Sequence, residues 1–336
     1  MGKPLNEQVV VVTGASSGIG RAAALEFARR GAKVVLAARN EQALTSVAQE
    51  IRQQGGTALI VPTDVSDDDE VRRLASTAAN TYGRIDTWVN VAGVSVYATV
   101  EQTTEAEARR IMEVNFMGVV NGTRAAIPYM RTQKSGTIIN VGSVESQRAL
   151  PYQSIYAASK HAVKAFTEAL RMEQLHDKTG IHVTLILPSG INTPFFDHAR
   201  SKLGTKPQPM PPAYAPELAA AAIVSAAEHP QRDIYVGGAG WMFWLLQRIS
   251  PALVDRMMLA GGVGFKAQKS GQAVSDQDNL FAPMSGVGRV QGDFAHLSKP
   301  SVYTPVAELA PVWVRRALLV AAPLVLIYSL FGHRDE

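Results

Sequence analysis

A chain of 336 residues, 46% hydrophobic and 18% charged, carries enough apolar material to bury a core, which excludes a disordered polymer. Its 33 basic and 29 acidic residues leave a net charge of +4, and no Lys/Arg run exceeds a pair, so no nucleic-acid footprint is expected. The absence of cysteine excludes a disulfide framework, a thiolate metal site and a thiol nucleophile, and no metal site is expected.

The length fits two domains at most, or one large α/β domain with an extension. Met1 to Gln8 is polar and lacks the charged head and apolar middle of a signal peptide, so the catalytic part is expected to stay in the cytosol. Val9 to Val12 is β-branched, Gly14 to Gly20 follows at once, and Arg21 to Arg30 is Ala-rich: strand, glycine turn, helix. Apolar runs recur at Lys33 to Ala37, Ala58 to Val61, Ile85 to Val91, Thr137 to Val141, His182 to Leu187 and Asp233 to Val236. Strands that are apolar throughout, alternating with helical stretches, predict a Rossmann-type, doubly wound parallel sheet of about seven strands with helices on both faces, over residues 1–240.

The turn Thr13-Gly14-Ala15-Ser16-Ser17-Gly18-Ile19-Gly20 lets backbone approach a pyrophosphate, with free N–H groups and the positive end of a helix behind it. The second strand ends in Ala37-Ala38-Arg39. No carboxylate is present there to bind a ribose 2′-hydroxyl, and a guanidinium can clamp a 2′-phosphate, so NADP(H) is expected in preference to NAD(H). Asp64, after the third strand, can accept from an adenine amino group or cap the helix starting near Asp67.

Tyr156 and Lys160 are four apart in a helix-compatible stretch and share a face. An ammonium beside a phenol is expected to lower the phenol pKa and make it a usable acid and base. Ser143 follows the strand at Thr137 to Val141, at the carboxyl end of the sheet, where its hydroxyl can hold a carbonyl oxygen.

With these residues assembled, the sequence resembles the short-chain dehydrogenase/reductase family. The matching residues are Thr13 to Gly20, Asp64, Asn90-Val91-Ala92-Gly93, Asn115 within Val114-Asn115-Phe116, Ser143, Tyr156-Ala-Ala-Ser-Lys160 and Pro188-Ser189-Gly190-Ile191-Asn192-Thr193, in the family's order over about 230 residues. The resemblance implies an oxidoreductase acting on CH–OH groups, with Tyr156 as general acid and base and Ser143 orienting the substrate. It implies that Lys160 binds the nicotinamide ribose, that Asn115 holds a relay water, and that Thr193 holds the carboxamide. Asn90 would support the cofactor floor, and Gly14, Ser16, Ser17, Gly18, Ile19, Gly20, Arg39, Asp64, Val65, Ala92, Gly93, Pro188 and Ile191 would complete the cofactor contacts. It also implies a homo-oligomer. Two positions depart from the pattern: Val91 replaces a second Asn, and Ser189 replaces the Gly after Pro188, which bears on the loop over the nicotinamide. A cofactor-sensing binding protein without turnover is the alternative on the same fold.

The substrate pocket is expected between Val94 to Tyr97, Val144 to Pro151 and the segment after Thr193. It is mainly apolar with Glu145, Gln147 and Arg148 as polar anchors, which suits an apolar ketone or secondary alcohol. Beyond the sheet, 241–265 reads as an apolar amphipathic segment, either interfacial on lipid or packed over the pocket or at a subunit contact. Residues 266–311 read as a polar linker or surface loop, and 312–332 as an apolar helix. Val312 to Phe331 would span about 30 Å as a helix, with Arg315 and Arg316 at its start. As a membrane anchor it would leave the enzyme on the cytoplasmic side; the other reading is a helix buried on protein or at an oligomer contact.

Overall fold

The computed structural model describes residues 3–301 and 303–305; the expected anchor at 312–332 lies outside them. Strands β1 (Val9–Thr13), β2 (Lys33–Ala38), β3 (Thr57–Pro62), β4 (Thr87–Asn90), β6 (Gly136–Val141), β7 (Ile181–Pro188) and β9 (Asp233–Val236) form one parallel sheet in the order β3-β2-β1-β4-β6-β7-β9. Alternate residues of each strand feed opposite cores: Val10 and Val12 pack with one layer, Val9 and Val11 with the other. That is why these strands read as unbroken apolar runs.

The first layer is built from α1 (Gly18–Arg29), α2 (Glu41–Gln53) and α8 (Pro216–Glu228), through Phe27, Leu44 and Ile223. The second is built from α3 (Asp68–Tyr82), α4 (Glu105–Met112), α5 (Gly118–Gln133) and α6 (Ser154–His176), through Leu74, Ile111, Met130 and Leu170. Polar side chains set the helix starts. Asn40 accepts from the Ala43 amide, Asp67 caps α3, and Thr104 with Glu107 forms a capping box on α4.

The strand order reverses between β1 and β4, whose carboxyl ends therefore diverge into a crevice, the place where such sheets receive ligands. A small parallel pair, β5 (Val96–Tyr97) and β8 (Arg200–Ser201), stands beside it, with α7 (Phe195–His198) between Thr193 and β8.

After β9 the chain forms α9 (Gly238–Ile249), α10 (Pro251–Leu259) and α11 (Val263–Lys266). It then crosses back over the carboxyl edge of the sheet. Arg200 binds Asp278 at 2.8 Å, and Asn192 Oδ1 accepts from the Phe294 amide at 2.9 Å. The stretch read as a linker or surface loop is, through residue 301, a strap bonded to the body of the fold.

Candidate active site

The glycine turn joins β1 to α1. Gly14 (φ +67°) lies so close to the β4 loop that a Cβ there would stand 2.8 Å from Ala92 Cα, and one on Gly20 would stand 2.2 Å from the Gly14 carbonyl oxygen. Side chains are excluded at both positions, which keeps the turn open to a ligand's phosphates. Thr13 Oγ1 ties the turn to β4 by donating to the Val89 carbonyl and accepting from the Val91 amide, both at 3.2 Å. The strap reaches this turn: the Gly18 amide donates to the Arg289 carbonyl at 2.9 Å, and Arg21 Nη1 donates to the carbonyls of Val287 and Gly288.

At the end of β2, Arg39 donates to the Asn279 carbonyl of the strap. Its Nη1 is buried and has no hydrogen-bond partner among the described residues. Burial lowers its pKa, with Asp64 opposing. Asp64 faces Arg110, a residue of α4 that sequence reasoning missed, at 2.6 Å, and also accepts from Ser66. Burial works to raise the Asp64 carboxyl, but the Arg110 and Ser66 bonds outweigh it and hold it low. The α3 cap is Asp67, so Asp64 does not fill that role.

Asn90 is fully enclosed, accepting from Trp88 Nε1 at 2.8 Å and donating to Asn140 Oδ1 at 2.9 Å, a bond between neighbouring strands beneath the cleft. Asn115 sits in one turn of π-helix, Glu113–Met117, inserted between α4 and α5. Such insertions re-aim a side chain. Here Asn115 Oδ1 accepts from the Val94 amide at 2.8 Å, while its Nδ2 donates to the Val94 carbonyl and Ser159 Oγ. It pins the loop carrying Gly93 beside Lys160.

Tyr156 and Lys160 occupy successive turns of α6, with Lys160 Nζ 5.7 Å from the centre of the Tyr156 ring. Ser143, at the end of β6, caps a short turn and bonds the Tyr156 hydroxyl. Lys160 Nζ donates to the Val141 carbonyl at 2.9 Å, and burial lowers its pKa to about 8, with Glu145 opposing. The expectation of a lowered phenol is not met. Burial and the nearby Glu145 carboxyl hold Tyr156 above its ordinary value, and the Ser143 hydrogen bond only partly offsets them. Glu145 itself is 5% exposed, and burial pushes it up to about 8.

Gly14, Ser16 to Gly20, Arg39, Asp64, Val65, Ala92, Gly93, Ser143, Tyr156, Lys160, Pro188, Ile191 and Thr193 all line one cleft of about 300 Å³. Of the candidate residues, Asn90 and Asn115 stand behind its wall. Ser189 Oγ donates to the Gly237 carbonyl and accepts from the Gly240 amide, so this departure couples the loop after β7 to the first turn of α9. On the substrate side, Tyr97, Leu150, Phe195, Met210 and Phe243 are joined by Gln153, Gln208 and Gln268. Gln268 lies in the polar stretch whose composition marks no ligand.

A parallel sheet with a phosphate-sized glycine turn and a Ser, Tyr and Lys converging beside it defines a dinucleotide-dependent dehydrogenase architecture. The family model described as short chain dehydrogenase matches residues 8–204, and the chain belongs to that family, whose members are oxidoreductases that bind nicotinamide dinucleotides. Among its relatives, an uncharacterized oxidoreductase, YxnA, of Bacillus subtilis is 44% identical over 76% of this chain and 72% of its own. Dehydrogenase/reductase SDR family member 7B of Danio rerio is 32% identical over 76% and 85%. The putative oxidoreductase SadH of Mycobacterium tuberculosis is 32% identical over 77% and 96%.

Proposed function

We propose that the protein is an NADP(H)-dependent oxidoreductase that interconverts a carbonyl and an alcohol, acting on a largely apolar ketone or secondary alcohol. The observation that carries this reading is the convergence of Ser143, Tyr156 and Lys160 in the cleft that the glycine turn also opens into.

The residues fit the cofactor. The open turn at Gly14 to Gly20 suits a pyrophosphate, and the unmet buried Nη1 of Arg39 suits a 2′-phosphate. Arg39 and Arg110 set two cations against the single carboxylate of Asp64, so this end favours an anion. When bound, the nicotinamide supplies or accepts the hydride. Ser143 Oγ holds the substrate oxygen. Tyr156, kept protonated through the neutral range by its raised pKa, gives its proton to that oxygen as charge develops there, and in the reverse direction takes it back. Lys160, fixed by the Val141 carbonyl, holds the cofactor ribose and a positive charge next to the phenolate that forms.

Attachment to a membrane surface is part of the proposal. Met242, Ile249, Leu253, Met257 and Leu259 of α9 and α10 are exposed, and Tyr303, near the end of the described chain, stacks on Trp241 at 5.5 Å. The described chain thus ends beside that face. No helix among the described residues is long and apolar enough to cross a membrane.

The test is turnover of NADPH with a ketone panel, in the wild type and in Tyr156→Phe. The variant is expected to lose about 10³-fold in kcat, within the range for a general acid, while still binding NADPH. Undiminished turnover in the variant overturns the mechanism, and a wild type that binds NADPH but reduces no ketone favours the non-catalytic alternative.

A further inference from the structure

In the cleft that holds the catalytic residues, two almost fully enclosed polar side chains bind the Leu150–Pro151 segment. Glu145, 5% exposed, accepts from the Leu150 amide over a long 3.4 Å, and its other carboxyl oxygen takes no hydrogen bond among the described residues. Gln268, 1% exposed, donates through Nε2 to the carbonyls of Pro151 and Gly264 at 3.0 and 2.6 Å. Those two bonds fix the amide, because flipping it would turn its oxygen onto two carbonyl oxygens. Its Oε1 is left buried and without a partner. Next to them Arg148, held through its terminal nitrogens by Gln247 and Asp255, leaves Nε buried and unmet as well.

A buried acceptor without a donor costs about 1–3 kcal/mol, so two unmet atoms and a thinly bonded carboxyl in one wall point to a missing polar group. All three residues line the cleft that holds Ser143 and Tyr156. We propose that the substrate carries a hydroxyl group remote from its reacting carbonyl, received at this end by Gln268 Oε1 and the Glu145 carboxyl. A hydroxyl is the simple neutral group that donates and accepts through one atom, as an acceptor and an acid in the same cleft require. With its carboxyl pushed up to about 8, Glu145 is largely protonated at neutral pH and able to donate. A carboxylate in the same place would meet the Gln268 oxygen and, above that pH, the Glu145 charge. The class is thus a hydroxylated ketone, or a diol in the reverse direction. This rests on the reading of the cleft as a carbonyl reductase site.

The test pairs 2-hexanone with 6-hydroxy-2-hexanone and 2-octanone with 8-hydroxy-2-octanone, reading kcat/KM with NADPH. At least one hydroxylated ketone is expected to exceed its parent by about tenfold or more, since a site built to bond a hydroxyl rejects the analogue lacking it. In Glu145→Leu and Gln268→Met that ratio falls toward one, and Glu145→Gln, which keeps a donor and an acceptor, restores most of it. Equal kcat/KM within every pair, or a preference that survives both apolar substitutions, overturns the proposal. Calorimetry of the same ketones with Tyr156→Phe and NADP separates the two readings. Hydroxyl-dependent binding without turnover in the wild type sinks the reaction and keeps the hydroxyl site, whereas turnover without hydroxyl preference does the reverse.

Discussion

The amide of Gly18 donates to the carbonyl of Arg289, joining the first residue of α1 to a strap residue far along the chain at 2.9 Å. Gly288, at φ +65°, comes so near the turn that a Cβ on it would stand 2.2 Å from the Ser16 carbonyl oxygen. Gly288→Val therefore pushes the strap off the turn at a cost of about 1–3 kcal/mol. Hydrogen exchange is the measurement: amides of 279–291 are expected to exchange at least about tenfold faster while β1 and β4 keep their protection. Equal exchange in both proteins would show that the strap does not depend on this approach.

Arg39 has a second, discriminating role to test. Its unmet Nη1 leaves a charged donor free for a 2′-phosphate, and a hydrogen bond to a charged group is worth about 1.5–3 kcal/mol. Arg39→Ala is expected to raise the NADPH dissociation constant about 10- to 100-fold and to leave NADH binding nearly as it was. Equal losses for the two would show that Arg39 shapes the pocket without reading the phosphate.

Lys160 sets a pH limit. Burial lowers its pKa to about 8, so its charge is present below that pH and lost above it, and kcat/KM is expected to fall on the alkaline side of about pH 8. The Glu145 carboxyl works against that lowering. Glu145→Gln is therefore expected to move the alkaline limb to lower pH, read from a pH–rate profile. A limb that stays in place in the variant would show that the two groups are not coupled.

Glu107 tests the fold under the cleft. It is 3% exposed, accepts from Lys202 at 2.7 Å and Arg200 at 3.1 Å, and Arg200 in turn holds Asp278 of the strap. Burial alone would raise its pKa, but the Lys202, Thr104 and Arg200 bonds bring it down to about 2 from 4.5. A depressed carboxylate pKa contributes stability above the unfolded-state value, and that contribution fades as the pH falls from about 4.5 to about 2. Glu107→Gln keeps a capping-box side chain but removes the charge. A loss of roughly 3 kcal/mol is expected at pH 7, shrinking toward zero near pH 2. Denaturant melts at several pH values check it, and a loss independent of pH would place the effect in packing.

The sheet was legible because its strands are buried on both faces, so Val9 to Val12 announces itself without reference to any neighbour. Tyr156 and Lys160 were legible for a similar reason, since helical spacing alone puts them on one side of α6. Arg110 was not, because its value lies in meeting Asp64 across 46 residues, and nothing around it distinguishes it from an exposed helix arginine. Gln268 and the strap's contacts were hidden by composition: a Gly-, Ser- and Pro-rich stretch reads as a linker or surface loop and does not show that its glycines let backbone pass close to the Ser16 turn. The direction of the Tyr156 pKa was missed because the local argument counted Lys160 and could not count burial or Glu145.

The strap gives the molecule an order of completion. During vectorial synthesis β9 leaves the ribosome well before Asn279 and Arg289, so a nascent chain can assemble all seven strands while its nucleotide turn is still uncovered. The strap's bonds to Gly18 and Arg21 can then form only after residues 287–289 have emerged, so the turn's last contacts are with a late part of the described chain.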